Sequence, residues 1–123
     1  MSRTSPEEHI YNVLNSIAAI GGRVTPVGFA VDPEQVSKFV FPAAYYSSEG
    51  SDLRVTYSSV QRIGRLFGVV VAERDYIKIV DLVDTVIDVL SSDDRISFES
   101  GPVDSFDPVL SAYNRSISVY VKV

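Results

Sequence analysis

The strongest hydrophobic pattern lies between Gln61 and Ser92, where a strand signal turns into a helical one within a few positions. In "QRIGRLFGVVVAE", Ile63, Leu66, Phe67 and Val69 to Val71 form a nearly continuous apolar run, as expected of a strand buried on both faces. Gly64 and Gly68 within it are expected to mark bulges or close contacts. "RDYIKIVDLVDTVIDVLSS" follows with a helical period. At roughly 100° per residue, Val80, Val83, Ile87 and Leu90 share a flank with Ile79 and Val86, while Asp81, Asp84 and Asp88 gather opposite. Leu82 and Val89 widen the apolar arc beyond the stripe that usually covers one sheet. Extra width means either a deep core or a second neighbour, so both residues are candidate contacts with another subunit.

The same reading places the other elements. "SPEEHIYNVLNSIAAIGG" predicts a helix with Ser5 as N-cap, Pro6 at the first position and Glu8 completing a capping box. Ile10, Val13, Leu14 and Ile17 give it one apolar face, and Gly21-Gly22 is expected to end it in the left-handed conformation. "RVTPVGFA" is extended, and Pro26, which cannot donate to a ladder, makes it an edge strand. "VDPEQVSKF" predicts one or two helical turns. Phe41 to Ser47 predicts a strand, Glu49 to Asp52 a turn, and a return arm lies between Leu53 and Val60. After the second helix come two strands joined by a Gly/Pro/Asp-rich link. In the last strand Arg115, Ile117, Val119, Val121 and Val123 alternate with polar positions, so one face is buried and the other wet or at an interface. The predicted fold class is α+β: a small antiparallel or mixed sheet of about four to five strands with two main helices packed on one face.

Composition adds bounds. A chain of 123 residues, 46% apolar and 22% charged, is expected to form one globular domain. Its net charge of −5 gives no electrostatic footprint for nucleic acid. With no cysteine, thiolate metal sites and cysteine nucleophiles are impossible. The first ten residues, "MSRTSPEEHI", lack the apolar core of a signal peptide, and no apolar run approaches a membrane span. Folding in a cytoplasm is the expectation.

Candidate chemistry is sparse. Asp81, Asp84 and Asp88 are strung over ~10 Å of helical rise, so they cannot converge on one ion without help. They are expected to face water or a neighbouring subunit's cations, for which Arg54, Arg62, Arg65 and Arg74 are candidates. His9 is the only histidine. No serine lies in a G-x-S-x-G elbow, and Gly21-Gly22 leads into a strand instead of the helix a phosphate loop would open. No metal or cofactor site and no enzymatic activity are expected. Of the tyrosines, Tyr120, on the polar face of the last strand, is the best candidate for a contact outside the domain.

Element order and spacing, the proline-led strand "FPAAYYSSE" and the ending "D…Y.RSI.V.V" together resemble the tail terminator (tail completion) proteins of tailed bacteriophages. The resemblance covers nearly the whole chain. It implies an α+β subunit of a ring, typically a homohexamer, located in the virion at the head-proximal end of the tail and assembled in the host cytoplasm. Such a ring stops tail-tube polymerisation and joins the tail to the neck and head. The implied partners are other copies of the chain, the tail tube protein and the neck or head–tail connector proteins, with a sheath protein as a further candidate. DNA is implied only as passing cargo in the lumen, and no catalytic residue is implied. The chain departs from the family pattern at residues 32–40, where a plainer loop is expected. Another neck-region adaptor, or a small cytoplasmic ligand-binding or regulatory domain, is the alternative. The candidate contact residues are Asp81, Leu82, Asp84, Asp88, Val89, Arg62, Arg65 and Tyr120.

Overall fold

The structure, a computed structural model, describes residues 4–29, 38–55 and 60–123, with only the backbone described at 51–55 and 60–62. Its elements are α1 (Pro6–Asn15), β1 (Val24–Pro26), β2 (Ala43–Val55), β3 (Val60–Glu73), α2 (Tyr76–Ser91), β4 (Ile96–Asp107) and β5 (Ala112–Lys122). The strands form one mixed sheet in the order β1-β2-β3-β5-β4, with β1 parallel to β2 and every other pair antiparallel. The fold is α+β, with β3 as the central strand. The predicted turns of "VDPEQVSKF" lie almost entirely outside the described residues.

α1 starts as its sequence dictates: the Ser5 hydroxyl accepts the Glu8 amide at 3.2 Å, with Pro6 in the first turn. It ends at Asn15, several residues before the two glycines. The Ser16 hydroxyl donates to the Val13 carbonyl at 2.6 Å, and the chain continues through Ile17 and Ile20 with bonds closing three residues back. Leu14, Ile17 and Ile20 recur every three residues, which suits such tight turns and keeps all three buried. Gly21 and Gly22, at φ 63° and 78°, then turn the chain into β1.

β1 is an edge strand, as Pro26 requires. Because it runs parallel to β2, the chain between Pro26 and Ala43 must travel back the length of a strand, which no hairpin turn achieves. β1 ends in a tight turn: the Gly28 amide donates to the Pro26 carbonyl at 2.9 Å across Val27, which is held at φ 72°. A β-branched residue in that region is strained.

Two predicted turns are instead bulges. β2 runs through Glu49–Asp52, with register shifts between Ser48 and Gly50 and between Asp52 and Leu53. The first leaves Glu49 as the extra residue, and its carboxylate lies across Gly68 of β3. The "GPVD" stretch likewise belongs to β4, whose register slips between Phe98 and Ser100 and between Ser100 and Val103. Pro102 is tolerated there because β4 is the other edge. The actual connection to β5 is Pro108 to Ser111.

Both helices cover one face of the sheet, and the core joins Ile10, Leu14, Ile17 and Ile20 to Phe67, Val69 and Val71, to Val83, Val86 and Leu90, and to Ile117, Val119 and Val121. The alternation predicted for β5 holds. β3 is covered by helices on one face only; on the other, Leu66 and Val70 are half-buried. That face is filled from within the sheet, with Tyr120 across Gly64 and Glu49 across Gly68.

Arg95 is the one buried charged residue among those described. Its guanidinium donates to the Lys122 carbonyl from Nε and Nη2 (3.0 and 2.8 Å), to Thr4 Oγ1 from Nη1 (3.0 Å) and to the Thr4 carbonyl from Nη2 (2.9 Å). Beside it, His9 and Asp93 meet at 2.8 Å, and Asp93 accepts the Arg95 amide at 2.9 Å. Replacing Arg95 by Ala strands the carbonyls it satisfies, and chemical denaturation should show a loss of about 3 kcal/mol, with Arg95→Lys recovering less than half because an ammonium cannot fork. Val27→Gly should move the other way, raising stability by about 1 kcal/mol as the strained backbone is relieved.

Candidate functional site

The residues singled out by sequence do not converge on one site. Asp81, Asp84 and Asp88 are exposed along the outer face of α2. Asp81 borders a groove with Ala19, Phe41, Pro42, Glu73 and Lys78. Leu82 is only 8% exposed and belongs to the chain's own core, while Val89 is half-buried and packs against that core. The part of the apolar width of α2 that Leu82 supplies is therefore taken up inside the chain, in the core that also holds α1. The Arg65 guanidinium pairs with Glu7 of α1, which corrects its reading as a cation open to a partner. The side chain of Arg62 lies outside the described residues. Arg74 stands over the Phe41 ring at 4.9 Å. Tyr120 is half-buried, its ring folded across Gly64, which limits what it can offer a partner.

A different cluster sits where β4 and β5 meet the start of α2. Tyr113 of β5 holds two aromatic neighbours edge-on, Tyr76 and Phe106, each with ring centroids 5.3 Å away. Phe106 pairs with Tyr113 and Tyr113 with Glu73, two residues beyond the core residue Val71, so the cluster lies on the helix-covered side. The Tyr76 hydroxyl donates to Asp104 at 2.9 Å, and Asp104 also faces Arg115 at 3.2 Å. Asp107 accepts the amides of Val109 and Leu110 at 2.9 and 3.2 Å, which fixes the turn between the strands. Phe106, Val109 and Ile77 stay more than half exposed. Sequence reasoning missed this patch because it took the stretch between the last two strands as a Gly/Pro/Asp-rich link. The overlooked signal was three large apolar residues, Val103, Phe106 and Val109, inside that supposed link.

At the same end of the sheet, on the opposite edge, a cleft of about 350 Å³ opens beside β1. Thr25 and Ala43 form its floor on the face away from the helices, and Phe29, Phe39 and Val40 its walls. Phe29 stands edge-on to Phe39 (5.4 Å) and to Tyr45 (4.8 Å). Among the described residues its charged members are Arg23, whose Nε donates to the Pro42 carbonyl at 2.7 Å, and the exposed Lys38.

Among the described residues no group of three His, Asp or Glu side chains is placed to hold a metal ion, and no helix is long and apolar enough to cross a membrane. In comparisons with known proteins, no family model and no curated sequence matches the chain.

Two tyrosines carry the electrostatic imprint of their surroundings. The hydrogen bond to Asp104, strengthened by that carboxylate's charge, raises the Tyr76 hydroxyl above the usual phenol value. Tyr46 is raised by burial first, then by Tyr11 and Glu7. A raised phenol favours the folded state while it is protonated, so each contribution is complete below an ordinary tyrosine pKa of about 10 and is lost as pH climbs through the raised value. In an ultraviolet titration of the folded protein, Tyr76 and Tyr46 should ionise above the ordinary phenol value, and Tyr76→Phe and Tyr46→Phe should each remove one such step. Gly64→Ala should push the Tyr120 ring off the sheet, seen as increased quenching of tyrosine fluorescence by iodide that is absent in a Tyr120→Ala background.

Proposed function

We propose that this chain is the subunit of a ring that caps the head-proximal end of a phage tail tube, ends tube polymerisation and joins the tail to the neck. The observation that carries the proposal beyond the family resemblance is the unlike make of the two sheet edges. One end of the sheet presents a projecting aromatic patch at β4 and an apolar recess at β1. Two different faces meeting between copies give a head-to-tail contact, which generates a ring where the rotation between copies closes and an open filament where it does not, whereas a self-complementary face gives a dimer. The exposed acids of α2 fit the same role: on the lumen wall they would repel passing DNA and deny it the counterion-release affinity of a basic groove. The partners on this reading are further copies of the chain, the tail tube protein and the neck proteins. The ring acts by position and not by catalysis.

The β1 recess is also the observation behind a second reading, a small ligand-binding domain, since an apolar pocket with a few polar groups is the usual form of such a site. Native mass spectrometry and electron microscopy separate the two. The ring reading expects closed oligomers, sixfold by resemblance, in solution or on tube ends, and tubes that stop growing when the chain is added. A chain that stays monomeric, leaves tube growth unchanged and saturates with a small molecule would sink it. A ring with α2 on its outer rim would remove the lumen role of Asp81, Asp84 and Asp88 while leaving the ring in place.

A further inference from the structure

Resting on the ring reading, we infer that the aromatic projection at the β4–β5 turn of one copy docks into the β1 recess of the next. Phe106 and Val109 enter between Phe29, Phe39 and Val40, and Asp107 approaches Lys38 and Arg23.

Four observations carry this. The first is position: projection and recess lie at the same end of one sheet but on opposite edges. Four inter-strand steps of about 4.8 Å put them about 19 Å apart, so they cannot meet within one molecule. The second is fit, since a cleft of about 350 Å³ is at the small end of the ~300–1,000 Å³ of ligand sites, in the range suited to a few side chains. The third is charge. Asp107 adjoins Phe106 in sequence, whereas the charged members of the recess among the described residues are Arg23 and Lys38. Head-to-tail docking brings opposite signs together, while projection on projection or recess on recess opposes like charges, so this pattern disfavours a twofold dimer. The fourth is preparation. Asp107 fixes the turn through two backbone amides, and Tyr113 braces Phe106, so little conformational freedom remains to be lost on docking. Aromatic residues, Phe among them, are enriched at the cores of protein interfaces.

The absence of cysteine from the chain gives the test a clean background. Val109→Cys and Val40→Cys alter two exposed positions, 62% and 57% accessible, and leave the core alone. With a short bismaleimide at high protein concentration, a mixture of the two variants should yield cross-linked dimers, and either variant alone should yield none. A chain carrying both should give a ladder ending at the ring size. Adding Phe106→Glu should cut the cross-linked yield at least tenfold, with the far-ultraviolet circular dichroism unchanged. A cross-link in Val109→Cys alone would overturn the docking in favour of a twofold contact. Closed rings by electron microscopy with no cross-link between positions 109 and 40 would overturn the docking and spare the ring. Monomers throughout would overturn the docking and count against the ring as well.

Discussion

A guanidinium removed from water must find a partner for each of its N–H groups, and the way Arg95 does so organises the molecule. Arg95 stands where the chain leaves α2 for β4 and reaches backbone at the start of α1 and at the end of β5. One side chain thus ties together Thr4 and Lys122, residues near the two ends of the chain, and the turn that launches the edge strand. The adjacent pair of His9 and Asp93 repeats the link between α1 and the same turn. α1 would otherwise rest on the sheet through one apolar stripe, which fixes how deep a helix sits better than where it sits along its axis. The polar clamp supplies the missing coordinate, because hydrogen bonds are directional and apolar contact is not.

With α1 held there, the rest of the packing follows. Ile10, Leu14, Ile17 and Ile20 reach the flank of α2 that β3 and β5 cannot cover, and Leu82 is buried as a result. Both helices then lie on one face, so the opposite face must be closed by the sheet itself. Gly64 and Gly68 make that possible: four residues apart on the central strand, they leave room for the Tyr120 ring and the Glu49 carboxylate to lie flat across it. The bulge that frees Glu49 for this is the same irregularity that lets β2 pass through a run of turn-forming residues.

Elements whose signal is local were legible in the sequence. The capping box at Ser5, the helical period of α2, the alternation of β5 and the edge role forced by Pro26 all depend on residues within a few positions of each other. What failed depended on partners far away in the chain. Glu49–Asp52 and Gly101–Asp104 have turn composition, yet pairing with β3 and β5 draws both into strands, because a ladder satisfies more backbone groups than an isolated turn. The helix predicted to reach Gly21 stops at Asn15, where a serine hydroxyl competes for a backbone carbonyl. The surfaces now of most interest were invisible for the same reason. Each assembles residues from several elements: Tyr76, Phe106 and Tyr113 in one case, Arg23, Phe29 and Phe39 in the other. Of the hint that pointed outward, the apolar width of α2, the share owed to Leu82 has its explanation inside the chain.

The parallel pairing of β1 has a consequence for the dynamics of the fold. β1 touches the sheet through three residue pairs, while β2, β3, β4 and β5 pair over ten residues or nearly so. Local opening free energy scales with the contacts broken, so this edge has the lowest threshold for detaching while the remaining four strands stay folded. The recess exists only while β1 is docked. Occupying it from outside would add the binding energy of the occupant to that weak pairing, so association and the completion of the sheet become a single thermodynamic event.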